Sequence, residues 1–242
     1  MNITDQIHET QNIMKESGIY GCITGSSWID ADFDEWDEVP DIDLFTYTQN
    51  AFVQAVTMLL YRYHYEFISE GEEWKYNRTI QHGMQKDAPL ITVKLSNKER
   101  PDVYVNVTYH KRETALIDVL SNFDMSIVMQ GYDMHSKKHI DMRNIAGVPN
   151  NVAVPNPLRC QDFEQYNVQQ WIRQFDRVVK YWNRGLDTRP MARFYLEAID
   201  KVLETGALFP SENAISKFNE LKEEFEPARE KIASWLADKE DC

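Results

Sequence analysis

Residues 41–47 read DIDLFTY, and upstream of them lie the apolar run IYGCIT (19–24) and the small turn Gly25-Ser26-Ser27. Successive side chains of an extended strand point to opposite faces. Asp41, Asp43 and Phe45 therefore share one face, and Ile42 and Leu44 share the other. The aliphatic pair anchors the strand on a core while the two carboxylates project toward one point. IYGCIT reads as another strand that stops at the turn. Glycine there lets a ligand approach the backbone, and the serine hydroxyls and exposed N–H groups suit phosphate oxygens. Between the turn and DIDLFTY, six carboxylates occupy nine positions from Asp30 to Glu38, and Pro40 closes the stretch. That run reads as a solvated acidic loop.

Outward from this centre, residues 3–17 carry apolar positions at helical spacing, and NAFVQAVTMLLYRYHY (50–65) does the same. ITVKL (91–95) and DVYVNVT (102–108) read as two strands of a β-hairpin joined by the polar turn SNKERP. RETALIDVLSNF reads as a helix and FDMSIVMQGYD (123–133) as a strand region, followed by an exposed hairpin at MHSKKHIDM. His135 and His139 lie on that hairpin, so their spacing of four does not read as a helical metal pair. The three prolines of GVPNNVAVPNPL (147–158) prevent a continuous helix and mark a boundary. Beyond it come three helical patterns. The first stops at Gly185, the second is RPMARFYLEAIDKVLETG, and the third runs from Ser211 and is expected to break at Pro227. Trp171, Phe175, Val178, Val179 and Trp182 read as core of the first. The expected class is α+β: a mixed β-sheet with flanking helices in residues 1–150, then a helical region in 151–242.

The whole-chain numbers narrow the possibilities. The chain has 242 residues, with 26 basic and 39 acidic side chains, a net charge of −13 and 43% hydrophobic residues. That is ample material for a packed core and excludes a disordered chain. So acidic a chain has no global field that attracts nucleic acid, and any such contact needs a local basic patch. No apolar run reaches membrane-spanning length, and no secretory signal opens the sequence. Cys22, Cys160 and Cys242 are odd in number and far apart, which fits a reducing, cytoplasmic compartment. P-loop and dinucleotide-binding glycine patterns are absent, as is a G-x-S-x-G elbow for Ser26 or Ser27.

A third carboxylate would complete a hard-oxygen site for Mg²⁺ or Mn²⁺ beside Asp41 and Asp43. Asp102 heads a strand whose Val103, Val105 and Val107 face the core, and it is the expected third ligand. The alternative makes Asp102 a turn residue after Pro101, with Tyr104 or Asn106 pointing at the site.

The G-S-S turn, the D-x-D strand and a later strand carboxylate together resemble the DNA polymerase β-type nucleotidyltransferase superfamily over roughly residues 10–110. FDMSI (123–127) resembles the segment after the third strand of CCA-adding tRNA nucleotidyltransferases, with Ser121-Asn122 where those enzymes carry a basic pair. RVVKYWNRGLD (177–187) resembles a helix of poly(A) polymerase-like members, in which a lysine before an aromatic pair contacts the triphosphate. The resemblance implies transfer of a nucleoside monophosphate from an NTP, with pyrophosphate released. It assigns the metal to Asp41, Asp43 and Asp102, and the nucleotide to Gly25, Ser26, Ser27, Lys180 and Arg177. Arg173, Arg177, Lys180 and Arg184, at spacings of four, three and four, form one basic stripe on a helix, able to meet a triphosphate or the chain's own acidic loop. The expected acceptor is an RNA or tRNA 3′ end. A protein, a small molecule or a second nucleotide as acceptor, and a non-catalytic binding protein with an acidic decoy surface, stay open beside it. No membrane partner is expected, and the aromatic-rich helices leave room for a homodimer.

Overall fold

The computed structural model describes residues 3–32, 41–69, 90–99, 104–110, 113–158, 168–205 and 212–240. In chain order the elements are α1 (Ile3–Glu16), β1 (Gly21–Thr24), α2 (Ser26–Asp32), β2 (Asp41–Thr46), α3 (Gln49–Tyr61), β3 (Tyr65–Ser69), β4 (Leu90–Asn97) and β5 (Tyr104–His110). They continue with α4 (Leu116–Ser121), a 3-10 turn (Ser126–Val128), β6 (Gln130–Asp133), β7 (Lys138–Asp141), α5 (Val168–Asn183), α6 (Arg189–Thr205) and α7 (Glu212–Glu240). Two compact units result: Met1–Phe123 with Val128–Arg143, and Asp124–Ile127 with Asn144–Cys242.

The first unit is built on a mixed sheet of seven described strands, ordered β3-β4-β5-β2-β1-β6-β7. β2 and β5 run parallel, and the other neighbours run antiparallel. A parallel pair needs a long crossover, and α3 is part of it. Thr48 caps that helix, its hydroxyl accepting from the Ala51 N–H at 3.1 Å. The alternation in β2 is as expected: Ile42 and Leu44 are fully buried, while Asp41, Asp43 and Phe45 are half-buried. On the Ile42 side, Val105, Val107 and Ile23 join Ile7, Ile13 and Met14 of α1 and Ala51, Ala55 and Leu59 of α3 in one core. On the Asp41 side, Phe45 packs with Cys22, Tyr47 and the Leu116, Val119 and Leu120 side chains of α4. A buried polar link crosses this side. Tyr47 donates to Asp133 Oδ2 at 2.5 Å, and the Ser136 N–H donates to Asp133 Oδ1 at 2.6 Å. Burial works to raise the Asp133 pKa, but these donors hold it below the ordinary carboxylate value.

The second unit is helical. Trp235 of α7 receives Phe175 and Trp182 of α5 edge-on, with ring centroids 5.7 and 5.6 Å away. Phe175 and Val178 are buried, in keeping with their reading as core; the Trp171 side chain lies outside the described residues. Gly185, at φ +75°, follows the end of α5.

Three local expectations change. The acidic stretch after the turn does not begin as loop: Ser26–Asp32 is α2, seated by fully buried Ile29 and by Trp28 Nε1 donating to the Ile23 carbonyl at 2.9 Å. The helical pattern of residues 50–65 stops at Tyr61, and Tyr65–Ser69 forms the edge strand β3, with His64 at φ +58° between them. Pro227 does not break the third helix. It lies inside α7, which continues because Phe225, Ala228, Ile232 and Leu236 are buried along one side.

Candidate active site

One rung crosses five strands. Lys94 of β4 is in register with Asn106 of β5, Asn106 with Asp43 of β2, Asp43 with Thr24 of β1, and Thr24 with Gly131 of β6. Partners on a rung share a face, so the central strands present a cation, an amide, a carboxylate and a hydroxyl in sequence. Asp41 stands two residues from Asp43 on that face. Asn106 Nδ2 donates to Asp43 Oδ1 at 3.0 Å and to Asp41 Oδ2 at 3.3 Å. Lys94 Nζ meets the same Asp41 oxygen at 3.0 Å and lies 4.2 Å from the centroid of the Tyr104 ring. Asp41 and Lys94 are about one-third exposed, so the pair opens to solvent.

The turn after β1 closes one side. Gly25 has φ +87°, and a Cβ there would lie 2.5 Å from Asp43 Oδ2. The backbone of the turn thus approaches the carboxylate as closely as a residue without a side chain allows. Ser26 starts α2 and is half-buried. Ser27 is fully buried, and its hydroxyl donates to the Thr24 carbonyl at 3.3 Å, so its side chain braces the turn. Thr24 Oγ1 in turn donates to the Gln130 carbonyl at 2.6 Å and ties β1 to β6. Phe123 meets Phe45 edge-on at 6.2 Å, on the face of β2 that carries the carboxylates.

Among solved structures, a tRNA-processing enzyme with CTP is similar at a TM-score of 0.50 and 17% identity, over 94% of this chain and 57% of that one. This chain shares the fold of that enzyme. A tRNA nucleotidyltransferase complexed with a primer tRNA and an incoming ATP analog is similar at a TM-score of 0.47 and 17% identity, over 91% of this chain and 60% of that one. The chain therefore spans less than two-thirds of the length of either structure. No protein-family model matches the sequence, and no curated protein matches it.

Within this fold, the first unit brings together Gly25, Ser26, Asp41 and Asp43. Asp102, the expected third ligand, lies outside the described residues. The residue that touches both carboxylates is Asn106, the alternative offered by the strand alternation. No group of three His, Cys, Asp or Glu side chains suited to a metal gathers among the described residues. Lys180 and Arg177 lie on α5 in the second unit. Lys180 is exposed, whereas Arg177 Nη1 donates to both oxygens of Asp124 at 2.8 and 3.1 Å. Burial works against the Arg177 charge, but the Asp124 carboxylate together with Tyr181 and Tyr195 outweighs it and raises the pKa. Arg184 is buried beside Tyr181, and the Arg173 side chain lies outside the described residues, so the expected stripe is not one solvated face. His135 and His139 pack their rings on Tyr20 and Trp28 at 4.5 and 4.9 Å, on the hairpin formed by β6 and β7. Lys94 was missed from sequence. Its signal was the alternation in ITVKL, which sets Thr92 and Lys94 opposite the core-facing Val93 and Leu95.

Proposed function

We propose that this chain transfers a nucleoside monophosphate from an NTP to the terminal hydroxyl of an RNA, a tRNA 3′ end first among them. The observation that carries the reading is the carboxylate pair on a central strand with a side-chain-free turn packed against it: Asp41 and Asp43, two residues apart, with Gly25 closing on Asp43. That donor set fits a divalent cation. Hard carboxylate oxygens on one face suit Mg²⁺ or Mn²⁺, which takes its remaining ligands from water and nucleotide phosphates. Asp41 and Asp43 would hold it, and Asp102 is proposed as a further ligand. The chemistry supplied on loading is acidification of the acceptor hydroxyl and neutralisation of the departing pyrophosphate.

The chain's own groups do the positioning. Asn106 spaces the carboxylates and fixes their orientation through one amide. Gly25 and Ser26 offer backbone and hydroxyl to phosphate oxygens on the side where no Cβ intrudes. Lys180 is proposed as a contact for the triphosphate, by resemblance. The rate enhancement then rests on orientation and charge placement.

A second reading is favoured by Lys94 and Asn106, which satisfy the carboxylates without a metal: a nucleotide-binding protein that keeps the fold and does not turn over.

The test is transfer from each of four α-labelled NTPs with Mg²⁺ or Mn²⁺, in a mixture of total small RNA and cell extract. Asp41→Ala/Asp43→Ala is the control. Label in nuclease-sensitive material supports the RNA-end reading. Label in protease-sensitive material replaces it with protein nucleotidylation. NTP binding without labelling puts the non-catalytic reading first.

A further inference from the structure

Asp41 Oδ2 has two donors in this structure, Lys94 Nζ at 3.0 Å and Asn106 Nδ2 at 3.3 Å. Both come from the strands on one side of β2, and the rung fixes both: Lys94 opposes Asn106, which opposes Asp43. Two carboxylates and one ammonium leave the cluster with a single negative charge. The Lys94 ammonium also lies over the Tyr104 ring, so two attractions hold it above the pair. A divalent cation that takes Asp41 Oδ2 must therefore displace a cation already there.

We infer that Lys94 is a resident counter-ion that competes with the divalent cation for Asp41, so that cation loading is weak until a polyphosphate supplies the missing negative charge. The inference rests on the proposed metal role of Asp41 and Asp43, and it adds the order of loading. With Lys94 in place, the bare pair offers a dication net attraction from one charge. A bound triphosphate adds several negative charges, which ligate the incoming cation and take up the released ammonium. Nucleotide and cation are then captured together. Lys94 acts here as a positioning residue, through Asp41. The pair is about one-third exposed. An ion pair of that exposure is worth up to about 1 kcal/mol, so its removal should change cation affinity by about five-fold.

The experiment is Mn²⁺ titration of the full chain without nucleotide, reading free Mn²⁺ by electron paramagnetic resonance. Wild type is compared with Lys94→Met, Lys94→Arg and Asp41→Asn/Asp43→Asn, with folding checked by circular dichroism. Lys94→Met is expected to bind Mn²⁺ about five-fold more tightly than wild type, Lys94→Arg to stay near wild type, and the double variant to lose the site. Repeated with a non-hydrolysable ATP analogue, the advantage of Lys94→Met should shrink or vanish. If Lys94→Met binds Mn²⁺ no more tightly while the double variant loses it, the counter-ion role is overturned and the metal role of the pair stands. If the double variant binds as wild type does, the metal role and the inference fall together.

Discussion

Gly25 and Asp43 are packed so closely that a Cβ on the glycine would lie 2.5 Å from Asp43 Oδ2. The turn and the carboxylate strand therefore constrain each other, and neither can be changed alone. Gly25→Ala meets this clash and a positive φ of 87° at once. It is expected to cost about 1–3 kcal/mol of stability and to displace Asp43. Thermal melting and nucleotidyl transfer measured on one preparation check this. Transfer should fall further than the loss of folded protein explains.

Asn106 donates one amide to two carboxylates, so Asn106→Asp replaces an attraction with repulsion. Stability should fall by about 1.5–3 kcal/mol in a chelator, the worth of hydrogen bonds to charged groups. Added Mg²⁺ should restore it, because a further carboxylate strengthens a cation site. Melting curves with chelator and with Mg²⁺ decide the matter. A variant whose melting temperature ignores Mg²⁺ would count against a cation at this rung.

Tyr47 and Asp133 set part of the acid stability. Asp133, Asp141 and Asp187 all have pKa values lowered in the fold. The folded pKa lies below the unfolded one, so each stabilises above the unfolded value of about 3.9. That contribution disappears as pH falls through the folded value. Tyr47→Phe removes the 2.5 Å bond to Asp133. It should cost about 1.5–3 kcal/mol at neutral pH and flatten the acid limb of a stability–pH profile measured by urea unfolding.

Pro227 lacks the N–H that would bond inside α7 and is exposed. Pro227→Ala should stabilise the helix by up to about 3 kcal/mol and leave nucleotide binding unchanged. Urea midpoints and nucleotide titration test the two halves of that statement.

The legible parts of this molecule were those governed by near neighbours in sequence. Ile42 and Leu44 alternate with Asp41 and Asp43, so the paired carboxylates could be read before any partner strand was known. The β4–β5 hairpin and the stop at Gly185 were legible for the same reason. The register of β2 on β5 was not, because Asp43 and Asn106 are 63 residues apart. Strand alternation allowed Asp102, Tyr104 or Asn106 on the active face, and tertiary pairing puts Asn106 against Asp43. α2 was hidden by its own charge: Asp30 and Asp32 suggested solvent, while Trp28 and Ile29 supply the anchor. Pro227 stays inside α7 because a local penalty counts for less than the buried side of a long helix.

The parallel pairing of β2 with β5 also sets a timetable for folding. The hairpin of β4 and β5 closes over a short loop, but joining it to β2 requires closure across some sixty residues of chain. During synthesis, the carboxylates leave the ribosome well before Asn106 and Lys94 do. Until β5 docks, Asp41 and Asp43 stand without the Asn106 amide between them, so the chemical centre is complete only once that closure has been made.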